Sequence, residues 1–287
     1  PADLALPFAE SVLEASPFGR VLEQGAPGHA WNPNGGGHTS SGIMRTNAAN
    51  EVLYFPMDAG VNFILGTALD YPNTYYLADA LTVQESTDEN GAKSWAFSDK
   101  LGRMIMQQSE VDGAGLMTKT YYIYDRFGQV KYVIQPEGVA ELEAMNSPAL
   151  NGTLLANYGF QYQYDARRRV TQKRVPGADW VYMVYDKLDR VVLTQDANQR
   201  TNGKRDWSFT KYDIFGRPIM TGIYNGTSAD TRQSMQTFIE TSGALYESPK
   251  NWKENVPLAQ QNTVDVLPEF RGYTDNTFPT IISGFHS

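Results

Sequence analysis

Carboxylates recur in this 287-residue chain at a fixed place in a short motif. Paired carboxylates are the equipment of general acid–base catalysis. Asp125, Asp165, Asp186 and Asp213 each follow a tyrosine, and two such side chains flanking a sugar would make the acid and base of a glycosidase. The surrounding residues argue against it. Arg169, Arg190 and Arg217 stand four places after three of these aspartates, and Gln129 stands there after Asp125. A facing guanidinium lowers a carboxylate pKa, which is the wrong direction for a general acid.

Other candidate reagents are equally poor. His29 and His38 lie in a loop-rich opening stretch and His286 near the chain end, with no His-Glu-x-x-His and no Gly-x-Ser-x-Gly. All three read as ordinary loop or surface histidines. Asp88-Glu89-Asn90 lacks the alternating ligands and closing Glu of a calcium loop. Gly35-Gly36-Gly37 lacks the Lys-Ser/Thr of a phosphate loop. Cysteine is absent, which removes a thiol nucleophile, a Cys-ligated metal and a disulfide framework. No catalytic residue, cofactor or metal site is expected.

Trp31, Trp95, Trp180 and Trp207 are the fairer ambiguity. Exposed aromatics in a row can stack sugars, whereas buried ones suit a β core. Trp95, Trp180 and Trp207 are the candidates for glycan stacking, with the core reading favoured.

The elements that must position these residues are hairpins. Five copies of one motif run Asp99–Met104, Asp125–Val130, Asp165–Val170, Asp186–Val191 and Asp213–Pro218. Four carry Tyr before the Asp (Tyr124, Tyr164, Tyr185, Tyr212), and four carry Arg at the fifth place (Arg103, Arg169, Arg190, Arg217). Ser16-Pro17-Phe18-Gly19-Arg20-Val21 is a degenerate sixth. Asp suits the first position of a type I turn, because its carboxylate accepts from N–H groups just ahead. Gly three residues later suits a left-handed residue, giving a type I turn with a G1 bulge. Positive φ is expected at Gly102, Gly128 and Gly216, and at Asp189. Arg168, in the same place, would bear about 1–2 kcal/mol for it. The Asp and the following Arg then face each other, a pair worth about 0.2–1 kcal/mol. Tyr124, Tyr164 and Tyr185 should face Val130, Val170 and Val191.

Taken in order, residues 1–90 read as a β-rich leader packed on the repeats. Strand pieces are expected at Ile43–Thr46, Glu51–Phe55, Val61–Leu69, Thr74–Leu77 and Leu81–Thr87, with an Asn90-Gly91 hairpin after the last. Residues 91–224 form the repeat core, with a helical insertion near 137–150. Residues 225–287 hold a second helix in Ser228–Ser242, where Met235, Phe238 and Ile239 share a face, and then run into a truncated repeat with a strand at Thr280–Ile282. Asn151-Gly152-Thr153 and Asn225-Gly226-Thr227 match a glycosylation triplet that is common by chance. The expected fold is mainly β, an antiparallel meander of hairpins in a curved or spiralling sheet with two short helical insertions.

A net charge of −8 disfavours nucleic acid and anionic membranes as partners. No run of eighteen apolar residues forms a transmembrane segment. The chain begins at Pro1 without a signal-like stretch, so it is expected to be a fragment or processed piece.

The motif of Tyr, Asp, x, apolar, Gly, Arg, apolar resembles the YD repeats of bacterial Rhs/YD-repeat proteins, best at Tyr164–Val170, Tyr185–Val192 and Tyr212–Ile219. The stretches Pro17–Gly28 and Thr46–Val52 look like the leader found before the repeats in one branch of that family. The resemblance implies a long sheet spiralling into a hollow shell, placed outside the cell or on its surface, that commonly encloses a C-terminal toxin or effector. Its partners would be the remaining repeats and that effector. Shells of this type often close with a self-cleaving segment rich in Asp-Pro-x-Gly, and no Asp-Pro occurs here. A glycan-binding adhesin is the alternative, and a glycoside hydrolase the lesser one.

Overall fold

The computed structural model describes residues 6–66, 74–111, 115–145, 148–201, 203–227, 229–241 and 277–279. Among them, fourteen strands follow one another in sequence order in one antiparallel sheet, and two short strands pair apart from it. The chain is mainly β, as the alternating patterns require.

Two compact units divide the chain: Pro1–Gln161 with Val175–Gly177, and Tyr162–Arg174 with Ala178–Ser287. The first holds β1 (Glu10–Leu13), β2 (Val21–Gly25), β3 (Ser40–Thr46), β4 (Phe63–Ile64), β5 (Thr82–Thr87), β6 (Lys93–Ser98), β7 (Met104–Val111), β8 (Leu116–Tyr124), β9 (Val130–Ile134), α1 (Pro136–Ala144), β10 (Ala149–Leu150), α2 (Gly152–Tyr158) and the start of β11 (Gly159–Tyr164). The second holds the rest of β11, then β12 (Val170–Arg174), β13 (Val181–Tyr185), β14 (Val191–Gln195), β15 (Asp206–Tyr212), β16 (Pro218–Asn225) and α3 (Arg232–Thr241).

In the first unit one cross-strand row is wholly buried. Val83, Phe97, Met106, Tyr121 and Ile134 lie opposite one another from β5 to β9. Val52, Leu53 and Phe55 cover them from a loop, and Val139, Leu142, Leu154 and Leu155 from the helices. Helix α1 starts with Pro136, whose missing N–H is no loss at a first turn. Its Gly138 is required by contact, because a Cβ there would stand 2.5 Å from the Cβ of Tyr158.

Four expectations in this unit need correction. Neither Glu51–Phe55 nor Thr74–Leu77 is a strand: the two meet in a single bridge of Leu53 with Tyr75, and the Leu53 N–H donates to the Tyr121 hydroxyl at 3.1 Å. Of Val61–Leu69 only Phe63–Ile64 is a strand, and residues 67–69 lie outside the described ones. The insertion holds two helices, so the described residues contain three and not two. The Asn151 side chain caps α2, accepting from the Leu154 N–H at 2.8 Å, a bond worth about 1 kcal/mol. The supposed glycosylation triplet is thus a helix start. A seven-residue helix is too short to announce itself by periodicity.

In the second unit Val184, Leu193, Trp207 and Phe209 form the core with Met235 and Ile239 of α3. Phe238, expected on that buried face, is nearly half exposed and meets Phe278 edge-on at 4.9 Å. The expected strand at Thr280–Ile282 lies outside the described residues.

Candidate functional site

Each repeat aspartate sits at a corner between two strands, and the corners share one hydrogen-bond scheme. At Asp186, Oδ1 accepts from the N–H groups of Leu188 and Arg190, both at 2.9 Å. Oδ2 takes the Arg190 guanidinium at 2.8 Å from Nε and 2.6 Å from its terminal nitrogen. Asp99 with Arg103, Asp165 with Arg169 and Asp213 with Arg217 repeat this with Nε–Oδ2 distances of 2.7 Å. Asp125 holds the N–H groups of Phe127 and Gln129, both at 2.9 Å. The backbone closes each loop the same way, as where the Asp99 N–H donates to the Arg103 carbonyl at 3.0 Å and the Gly102 N–H to the Asp99 carbonyl at 2.9 Å.

The fourth corner residue is left-handed throughout. φ is +77° at Gly102, Gly128 and Gly216, and +62° at Asp189. Arg168 also adopts it, at +65°. The turn imposes its geometry on a residue that disfavours it, because the Asp165 carboxylate fixes both sides of the position. Asp88-Glu89-Asn90-Gly91 is a corner of the same kind, and it closes the β5–β6 hairpin expected at Asn90-Gly91. Asp88 Oδ1 accepts from Asn90 and Ala92 at 2.9 and 2.8 Å.

Three of the tyrosines face the residue after the fifth place of their corner, with Tyr124 opposite Val130, Tyr185 opposite Val191 and Tyr212 opposite Pro218. A bulge follows at once in each pair. What the motif does not reveal is the contact each tyrosine makes with the preceding corner. The Tyr124 hydroxyl donates to the Met104 carbonyl at 2.7 Å, Tyr185 to Val170 at 2.7 Å, and Tyr212 to Val191 at 2.9 Å. Every acceptor is the residue just after the previous arginine. That arginine lies over the same ring: Arg103 at 5.2 Å from the centroid of Tyr124, Arg169 at 4.7 Å from Tyr185, Arg190 at 4.6 Å from Tyr212. Asp, Arg and the next Tyr therefore form a clasp joining successive hairpins. The one sequence signal for it is the recurrence of Tyr one hairpin downstream of each Arg.

This arrangement occupies the carboxylates. Burial works to raise the pKa of Asp99, Asp165 and Asp213, but the backbone N–H donors and the guanidinium outweigh it and hold each below its ordinary value. An acid catalyst needs the opposite. Among the described residues no group of three or more His, Asp or Glu could hold a metal ion.

The remaining candidates are dispersed. Trp207 is fully buried, so neither face of its ring meets solvent, which corrects its place among glycan-stacking candidates. Trp95 packs half-buried on the first core, opposite Glu85 and Gln108. Trp180 is half-buried, and its backbone N–H donates to Asp179 Oδ1 at 2.7 Å. His38 Nδ1 lies 3.1 Å from the Glu89 carbonyl, and His286 lies outside the described residues.

A family model described as a domain of unknown function (DUF6443) matches residues 1–44. No curated protein matches the chain. Among solved structures, the chain is similar to the crystal structure of TcdB2-TccC3-Cdc42, at 15% identity and a TM-score of 0.45, over 78% of this chain and 9% of that one. The crystal structure of TcdB2-TccC3 without its hypervariable C-terminal region gives 15% and 0.46, over 78% and 9%. The Photorhabdus luminescens Tc holotoxin pore gives 14% and 0.44, over 78% and 9%. The chain spans less than a tenth of the length of these proteins.

Proposed function

We propose that this chain is a non-catalytic structural segment of a YD-repeat, Rhs-like shell or cell-surface protein. Residues 1–90 serve as a leader on the repeats, 91–224 as the repeat wall, and 225–287 as the run into a further repeat. The wall encloses or presents an effector carried by the same polypeptide outside these residues, and acts outside the cell or at its surface. The observation that supports this best is the clasp of Asp, Arg and the following Tyr, which commits the motif's polar groups to joining hairpins. Groups already bonded to one another on both sides are masonry for a wall and poor reagents.

The test uses the natural full-length polypeptide under native limited proteolysis. The sequence after this segment should resist cleavage, and should become cleavable when Asp186→Ala and Tyr212→Phe loosen the wall. Free cleavage of that sequence in the native protein would overturn enclosure. Glycan binding abolished by Trp95→Ala would favour the adhesin instead, and hydrolysis abolished by Asp186→Asn in a folded protein would favour the enzyme.

A further inference from the structure

Two corner arginines hold a partner that the clasp does not use. Arg20 stands at the degenerate corner between β1 and β2. It takes Glu14 at 2.9 Å from Nε and 2.8 Å from one terminal nitrogen. Its other terminal nitrogen donates to the Met44 sulfur on β3 at 3.3 Å. Arg103 takes Asp99 and lies over Tyr124, and one terminal nitrogen donates to the Met57 sulfur at 3.6 Å. Met57 sits between Phe55 and Ala59, which belong to the first core. Each sulfur therefore ties a corner to a different element, one to the adjacent strand and one to the covering loop.

A thioether is a weak acceptor, so these ties are weak as they stand. They are also open to solvent. Met44 and Met57 are each 52% exposed, the highest of the chain's nine methionines. Met117 follows at 40% and lies opposite Glu110, whereas Met106 and Met235 are buried in the two cores. A thioether sulfur has two lone pairs. The guanidinium engages one, and the other is left to a reagent arriving from water. A sulfoxide oxygen at that sulfur is a strong acceptor beside a fixed cation, and hydrogen bonds to a charged donor are the strong ones.

We propose that Met44 and Met57 are oxidation sites, and that their sulfoxides brace the corners instead of loosening them. The oxidant is a hydroperoxide. The sulfur lone pair attacks one peroxide oxygen, and the O–O bond breaks as the S–O bond forms. With hydrogen peroxide the departing hydroxide takes the proton from the new S–OH group and leaves as water. Sulfur is oxidised by two electrons, and the peroxide is reduced by them. Rotation within the unbranched side chain then turns the new oxygen to Arg20 or Arg103. Oxidation ordinarily weakens a protein by making a packed thioether polar. Here neither sulfur lies in a core, and each meets a donor that a carboxylate already holds in place.

Graded hydrogen peroxide on the intact folded chain tests this, with peptide mass mapping to locate the added oxygen. Met44 and Met57 should be oxidised at doses that leave Met106 and Met235 untouched. At such a dose the urea midpoint should rise by about 0.3 M over the untreated protein. Met44→Leu with Met57→Leu keeps size and shape, so the variant should fold. Its midpoint, compared with and without peroxide, should lose that rise. The proposal is overturned by a midpoint that falls or holds still when both methionines are oxidised and the buried pair is intact. It is equally overturned by a rise that survives in the double leucine variant. Oxidation of Met117 at doses that spare Met44 and Met57 would show that the guanidinium shields the sulfur, and would overturn it too.

Discussion

In the first unit the carbonyl of Tyr124 accepts from the backbone N–H of Asp58 at 3.0 Å. In the second, both backbone groups of Tyr185 are taken by one side chain, Gln236 of α3, whose oxygen accepts at 3.0 Å and whose nitrogen donates at 2.8 Å. The cause is common to both. A bulge beside each corner takes the tyrosine's backbone out of the regular ladder. A buried peptide group then needs a partner from outside the sheet. A loop supplies it with main chain, which any sequence has. A helix supplies it with one particular amide. The first solution is robust to substitution, and the second rests on a single residue.

Acidification should act on both units at once and give the largest effect. Asp99, Asp165 and Asp213 have folded-state pKa values below the ordinary 3.8. Glu14, held by hydrogen bonds from Arg20 and then Ser16, falls from 4.5 to about 2. A depressed carboxylate contributes stability that is complete above its unfolded value and lost as pH falls through its folded one. Resistance to denaturant should therefore be level above pH 4.5 and fall steadily towards about pH 2. Urea midpoints across that range would show it. Midpoints that rise on acidification would contradict the corner electrostatics.

Asp186→Ala comes next. The carboxylate is buried and holds two N–H groups and a guanidinium, so about 3 kcal/mol should be lost. Asp125→Ala, opposite neutral Gln129, should lose about 1–2 kcal/mol. Trp207 fluorescence reports the second unit and Trp95 the first. Equal losses would mean that the arginine adds little to the corner.

Gln236→Ala sharpens the contrast between covers. It leaves two buried backbone groups of Tyr185 without their amide and should cost about 2 kcal/mol, with faster amide exchange at Tyr185. The Tyr124 side, capped by main chain, should not respond. Arg168→Gly should give the smallest effect and the opposite sign. Relief of φ +65° is worth about 1–2 kcal/mol, less the backbone freedom glycine loses on folding and the contacts the arginine makes. A loss would show that those contacts outweigh the backbone strain.

The corners were legible because everything that makes them is local. Asp, Gly and Arg lie within five residues, and the turn's chemistry follows from their types. The clasp was not legible, because Tyr185 finds Val170 and Arg169 only after two strands have paired. The covers were harder still. Gln236 reads as a polar residue of an amphipathic helix, and nothing nearby says that its amide will replace a missing ladder partner. Arg168 shows the limit of residue preference, since a penalty of a kcal/mol or two yields to a turn fixed from both sides. The burial of Trp207 was the favoured reading, with glycan stacking left open, because an alternating strand has two faces and local sequence does not say which is covered.

Each tyrosine hydroxyl reaches backward, to a carbonyl that precedes it in the chain. A polypeptide leaving the ribosome can thus complete one hairpin and hold it ready before the residue that will fasten onto it has been synthesised. Assembly of the clasps then has a direction, although the cover on Tyr185 still awaits Gln236 of α3. For a sheet whose strands pair in sequence order, that order of growth keeps unpaired strand edges few during synthesis.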